Sequence, residues 1–144
     1  MMMGLTLRLA SMKDADCLFE WRNDPETRKA SHSTEWVEVA DHMQWLKASL
    51  SNSNRRLYIA EKKHVSVGTI RADFDNGTWT LSWSVSPRYR NKGIASQMLA
   101  LAVKKFNEPL AAEVKAQNIA SIKVAQRAGF ILQREQEGVL YFQR

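Results

Sequence analysis

The sequence predicts an α+β fold: a mixed, mostly antiparallel sheet of about seven strands with four helices and a central parallel βαβ unit. Three observations predict it. Trp79, Leu81, Trp83 and Val85 alternate with Thr80, Ser82 and Ser84, the period of a strand. A helical pattern follows, through Met98, Leu99, Ala102 and Phe106, and then the short apolar run 110–114. Strand, helix and strand together span about 35 residues, the size of a right-handed parallel crossover. On either side of this unit, Asp75-Asn76-Gly77 and Glu137-Gly138 are tight turns that make hairpins.

The elements follow in order. Leu5, Leu7 and Leu9 alternate with Thr6, Arg8 and Ala10 and form a first strand. Ser11 can cap the next helix, and Asp14 favours its positive end. Ala15, Leu18, Phe19 and Arg22 keep helical spacing until Asn23-Asp24-Pro25 stops it. Residues 26–36 are polar and without period, a connection. Helical spacing resumes over 38–50, with Val39, Met43, Leu46 and Leu50 on one side. Asn52-Ser53-Asn54 turns the chain into a short strand over 57–60, and Lys62-Lys63-His64 turns it again. Val65, Val67, Thr69 and Arg71 carry the next strand as far as Phe74, so the chain enters the central strand as an antiparallel meander. Pro87 has no amide hydrogen for a ladder and closes that strand. After the crossover helix, Asn107-Glu108-Pro109 is a break. A helix over 118–128 ends at Gly129, and 130–134 with 139–143 forms the last hairpin.

A chain of 144 residues without repeats or linkers reads as a single domain over residues 1–144. No apolar run approaches a membrane span and the start lacks a signal-peptide pattern, so a cytoplasmic location and no membrane partner are expected. The lone Cys17 lies in a helical pattern and reads as core or near-core, and the three histidines make no ligand cluster, so no metal is expected. The net charge is +6 and the pI about 9.7. A polyanionic ligand explains this charge as well as nucleic acid does. Nucleic acid is not expected, because aromatic residues do not interleave with Lys and Arg and no recognition signature occurs. Trp36, Trp45, Trp79 and Trp83 read as core.

The turn Arg90-Asn91-Lys92-Gly93-Ile94-Ala95 opens the crossover helix. A basic, glycine-containing turn at a helix start presents unpaired main-chain N–H groups beside the positive end of the helix dipole, a seat for phosphate. Gly93 lets an anion approach the main chain where a Cβ would obstruct it. The spelling V-x-P-x-x-R-N-K-G-I-A resembles the acetyl-CoA pyrophosphate loop of the GNAT superfamily of acyl-CoA N-acyltransferases, patterned Arg/Gln-x-x-Gly-x-Gly/Ala. Arg90, Gly93 and Ala95 hold the patterned positions. A second block, Ala112-Glu113-Val114 followed by Asn118, Ser121 and Gly129-Phe130, resembles the family's strand-to-helix segment. Together the blocks cover about a third of the chain.

This resemblance implies acetyl-CoA as co-substrate and parallel strands that splay apart between Ser84-Val85 and Ala112-Glu113. Unpaired main-chain groups there would take the pantetheine amides like an extra strand, and an N–H near Val85 would polarise the thioester carbonyl. Arg90, Asn91, Lys92, Gly93, Ile94, Ala95 and Ser96 would hold the pyrophosphate, with Asn118 and Ser121 adding contacts. The plainer readings are a solvated turn for Arg90 and Lys92, and a cap and first-turn residue for Asn118 and Ser121. An amine must be neutral to attack, so a general base is expected. Glu113, five before Asn118, matches the glutamate base of ribosomal-protein alanine N-acetyltransferases, which the segment resembles. Its alternative is to face solvent or pair with Lys115 or Arg127. Many relatives carry a tyrosine acid seven residues after the Asn118 position; here Ala125 stands there, and Tyr141 is the substitute candidate.

The acceptor is expected at the first two helices. Trp21-Arg22-Asn23-Asp24-Pro25 through His42-Met43-Gln44-Trp45-Leu46 resembles amino-sugar N-acetyltransferases acting on UDP-linked sugars, and the W-R-N-D-P spelling also occurs in ribosomal-protein N-acetyltransferases. Trp21, Arg22 and Asn23 are the substrate candidates; Arg22 would meet a nucleotide phosphate or, more plainly, pair with Asp24 or Glu26. The reading is an N-acetyltransferase acting on a small-molecule amine, an amino sugar in first place and a protein α-amine or aminoglycoside in second. A non-catalytic acyl-CoA-binding module is the rival of different class, and a homodimer is a possible assembly.

Overall fold

The computed structural model describes residues 4–144. Seven strands form one sheet: β1 (Leu5–Leu9), β2 (Arg55–Lys62), β3 (Val65–Asp75), β4 (Thr78–Val85), β5 (Leu110–Lys115), β6 (Ile131–Gln136) and β7 (Val139–Gln143). Their spatial order is β1-β2-β3-β4-β5-β7-β6, with β4 and β5 parallel and every other neighbouring pair antiparallel. The Asn-Gly turn has the conformation a two-residue hairpin needs, with Asn76 at φ 50° and Gly77 at φ 78°.

Five α-helices occur among the described residues: α1 (Ala15–Asn23), α2 (Pro25–Ala30), α3 (Val39–Ser51), α4 (Ile94–Val103) and α5 (Ile119–Arg127). The sequence predicts four. The additional one is α2, inside the stretch read as a connection. Its six residues are too few to display a period, and it forms because the Asp24 side chain accepts the Thr27 amide while Pro25 occupies the first turn. Ser11 caps a short 3-10 turn ahead of α1 in a capping box with Asp14.

Two cores sit on opposite faces of the sheet. On one, Met98, Leu99 and Ala102 of α4 and Val124 and Ala125 of α5 pack against Ile70, Ala72, Leu81 and Ala112. On the other, Leu18 and Trp21 of α1 and Leu46 of α3 cover Leu57 and Ile59 of β2. This smaller core stops at β2, so the second face of β3 and β4 stays polar: Thr69, Arg71 and Asp73 stand beside Ser84, Ser82 and Thr80. That uncovered face alters the burial of α3. Val39 and Leu50, on one side with Met43 and Leu46 by helical spacing, are 59% and 38% exposed, and the helix buries His42 and Ser49 with Leu46. Trp36, read as core, is also exposed, leaning edge-on against Phe19 with the Arg28 guanidinium over its face. Cys17 is half-buried against the smaller core, and burial pushes its thiol up to about 11.

Candidate active site

The parallel pair β4–β5 is registered only over Trp79↔Leu110, Thr80↔Ala111 and Leu81↔Ala112. Beyond Leu81 each strand keeps its outer partner, β4 to β3 as far as Val85 and β5 to β7 as far as Lys115. The two strands therefore diverge. The Trp79 amide donates across to Pro109, so ladder alternation directs the main-chain groups of Trp83 and Val85 toward the gap. Leu110 exchanges both of its main-chain bonds with Arg144 on the other side, which leaves those of Glu113 and Lys115 facing the gap from β5. An amide chain laid between these edges finds donors and acceptors on both sides.

Gly68 keeps the β4 edge in place. It pairs with Val85, and an added Cβ would stand 2.8 Å from the Ser84 carbonyl oxygen and 2.6 Å from the Met98 sulfur. The signal was in the sequence as a glycine inside an alternating strand, a mark of close approach by another chain segment.

At the far end of the gap the loop reaches α4. Gly93 is the N-cap residue at φ 76°, a left-handed conformation that disfavours a side chain. The α4 amides at Ile94, Ala95 and Ser96 border a cleft of about 1590 Å³ that also takes in Ser84, Val85, Asn91, Asn118 and Ser121. Lys92 is exposed and does not line it. Asn118 caps α5 by accepting the Ser121 amide at 3.2 Å.

Arg90 is engaged elsewhere than the phosphate seat. Its guanidinium holds Asp24 at 2.6 Å, Glu26 at 3.3 Å and the Thr27 hydroxyl at 3.1 Å, tying the loop to the start of α2. Burial would raise the Asp24 carboxyl, but the Arg90 guanidinium and the Thr27 amide outweigh it and hold it below the usual carboxylate range. Asp24 and Glu26 are the partners that sequence reasoning offered to Arg22. Arg22 pairs with neither: its Nη2 donates to the Ser33 carbonyl at 3.0 Å, and its Nη1 is buried without a hydrogen-bond partner.

Glu113 stands at the mouth of the splay, 38% exposed, with Oε1 3.1 Å from Nε2 of His32. Neither Lys115 nor Arg127 takes it; Lys115 instead donates to the Lys29 carbonyl at 2.9 Å. Residues 24–32 are thus fastened over the gap to Arg90 on one side and to Glu113 and Lys115 on the other. Tyr141 lies opposite Glu113 on β7, its ring 3.9 Å beneath the Arg134 guanidinium, and does not line the cleft. Ala125 is fully buried in the larger core. Trp21 and Arg22 border the cleft from α1. Asn23 uses both ends of its amide on Val37, donating to the carbonyl and accepting from the N–H at 2.8 Å each. It positions the connection between α2 and α3 and lies outside this cleft.

The architecture has close counterparts among solved structures. The aminoglycoside acetyltransferase AAC(6')-Ib, in complex with ribostamycin and coenzyme A, superposes with a TM-score of 0.85 at 20% identity, covering 99% of this chain and 93% of that one. The spermidine N-acetyltransferase of Vibrio cholerae, in complex with coenzyme A and spermine, gives 0.86 at 13% identity, covering 96% and 92%. The ribosomal-protein α-N-acetyltransferase RimL, in complex with coenzyme A, gives 0.86 at 15% identity, covering 99% and 94%. At these identities the likeness is one of fold. No curated protein matches the sequence. The family model described as an acetyltransferase (GNAT) domain matches residues 4–131, and the chain therefore belongs to the GNAT acetyltransferases. With the family comes the reaction class, N-acetyl transfer with acetyl-CoA as co-substrate.

Proposed function

We propose that the protein transfers the acetyl group of acetyl-CoA to the primary amine of an amino sugar, linked to a nucleotide such as UDP and used in a surface polysaccharide, by direct attack in a ternary complex. The observation that carries the transfer site is the open edge between β4 and β5, which runs to the glycine-capped start of α4. Ile94, Ala95 and Ser96 offer amides to the diphosphate, helped by the helix dipole. Ser84 and Val85 border the thioester arm, and the Val85 N–H stabilises the oxyanion as the amine adds to the carbonyl.

Glu113 takes a proton from the acceptor ammonium, so that the neutral amine attacks the thioester carbonyl. An amine of lysine-like basicity is neutral in only about one molecule in 10³ at pH 7, which costs roughly 4–5 kcal/mol, so a nearby carboxylate has a clear task. His32 orients that carboxylate from the connection above it. With alanine at position 125 the thiolate departs without a tyrosine there, which a thiol pKa near 8.5 permits. Tyr141, the other acid candidate, sits one strand behind Glu113 and outside the cleft, so it takes no part in this step.

Support for a sugar over a protein α-amine comes from the fastened segment 24–32, since contacts to Arg90, Glu113 and Lys115 leave a pocket where a peptide would need a groove. The test is a screen with thiol detection over UDP-linked amino sugars, free amino sugars, aminoglycosides and peptides. The expected result is turnover on amino sugars with the UDP-linked ones ahead; preference for peptides or aminoglycosides contradicts the acceptor.

A further inference from the structure

We infer that Arg22, Arg71 and His42 form an anion subsite in the acceptor half of the cleft, and that the amine acceptor carries a carboxylate or phosphate close to the nitrogen that is acetylated. The inference deepens the N-acetyltransferase reading above and rests on it.

The charges lining the cleft do not balance. Two of its carboxylates already face cations, Asp73 held by Arg55 and Arg71 and Glu26 by Arg90, and Glu113 lies 3.1 Å from the His32 ring. Asp41, the fourth, sits exposed in the first turn of α3, where the helix dipole favours it. Arg22 has a carbonyl partner for Nη2 and, among the described residues, nothing for its buried Nη1. A buried guanidinium N–H left without an acceptor is costly, and an anion in the cleft removes that cost.

His42 makes a second, independent observation. It is 2% exposed, its Nδ1 is buried without a partner, and it borders the same cleft while packed between Phe19 and Trp45. Burial and the neighbouring Arg22 charge keep its imidazole below its ordinary value, so it is a neutral donor at pH 7. Burial, then Arg71 and Arg28, likewise disfavour the Arg22 charge. Arg71 faces the same space, with its Nε on Asp73. Cations held this close gain from an anion placed between them.

Position relative to the transfer site sets the size of the acceptor. Arg71 is paired with Ser82, the residue directly after the last parallel pair, Leu81↔Ala112. It therefore stands one strand, about 5 Å, from the mouth of the splay. An anion held by Arg71 and an amine at the thioester fit within one small molecule. Polycationic acceptors, such as the spermine and aminoglycosides in the complexes of the structural counterparts, would meet an uncompensated guanidinium here.

The test compares matched acceptors with the full chain: a neutral 2-amino sugar, its phosphate ester and its uronic acid, with amino acids as charged amines lacking the sugar. Acetyl-CoA uptake is measured separately by calorimetry. The expected result is a kcat/KM at least tenfold higher for phosphate or carboxylate forms than for the neutral sugar, the two charged arms telling which group is native. Arg22→Met and Arg71→Gln should each collapse that ratio by roughly ten- to hundredfold, with Arg22→Lys partly restoring it. Acetyl-CoA affinity reports whether each variant is folded. A preference for the neutral sugar overturns the inference and leaves the amino-sugar acceptor standing; so does a ratio untouched in folded variants. Turnover of charged amino acids with all sugars inert keeps the subsite and removes the sugar. A protein that binds acetyl-CoA but acetylates none of these acceptors overturns the subsite, and one that takes up no acetyl-CoA overturns the reading beneath it as well.

Discussion

Around the start of α4 the cleft offers main-chain groups: the α4 amides, the open edges of β4 and β5, and a glycine in a left-handed conformation. Beneath α1 and α3 it offers side chains: Arg22, Arg71 and His42 over a floor of Thr69, Ser82 and Thr80. The difference teaches where specificity resides. A site made of backbone needs only that the turn and the splay form, so many sequences satisfy it. A site made of side chains changes with each substitution.

The first way to break this comparison is at the base. Glu113→Gln keeps the shape of the splay and removes the proton acceptor, so kcat should fall by at least about 10², with acetyl-CoA affinity unchanged. Unchanged turnover would remove Glu113 from the chemistry. A smaller effect is expected behind β4. In Gly68→Ala the new methyl meets the Met98 side chain, which can move, and the Ser84 carbonyl, which is backbone and cannot move without shifting the edge. Denaturant titration should register a loss of about 1–3 kcal/mol. Acetyl-CoA affinity should fall with it, because the Ser84-Val85 edge moves; a stability loss without that fall would separate the splay from the coenzyme.

The smallest effect is expected where the two halves are joined. Asp24→Asn leaves Arg90 with Glu26 and Thr27 and should cost about 1 kcal/mol, as exposed ion pairs contribute less than this and partly buried ones more. The pH dependence has a defined sign. The Asp24 carboxyl is held low in the folded protein, so its contribution is complete above the ordinary carboxylate value near 4 and is lost as pH falls through the depressed one. The Tm gap between wild type and Asp24→Asn should therefore be constant from neutral pH to about 5 and close below about 4. A gap that persists at lower pH would show that the carboxylate charge is not what joins the halves.

Period and turn chemistry made the strands legible. Alternation in residues 79–85 and the Asn76-Gly77 turn required no knowledge of distant contacts, and neither did the glycine at the start of α4. What was not legible depended on neighbours far away in sequence. Arg90 reads as a free phosphate ligand until Asp24, 66 residues earlier, is brought against it. Glu113 likewise acquires His32 from a connection with no period. Helical spacing puts Val39 and Leu50 on one side with Met43 and Leu46 but cannot show that the sheet face beneath α3 is polar beyond β2. Alanine at position 125 is visible in the sequence as a departure; that it is completely buried is not.

The central claim is that the glycine-capped start of α4, opening onto the gap between β4 and β5, seats acetyl-CoA. Calorimetric titration of acetyl-CoA into wild type and Gly93→Val tests it most directly, because valine is strained at φ 76° and intrudes where the anion must approach. The account predicts one site per chain in the wild type and affinity weakened by roughly ten- to hundredfold in the variant. No uptake by the wild type, or equal affinity in a folded Gly93→Val, would contradict it.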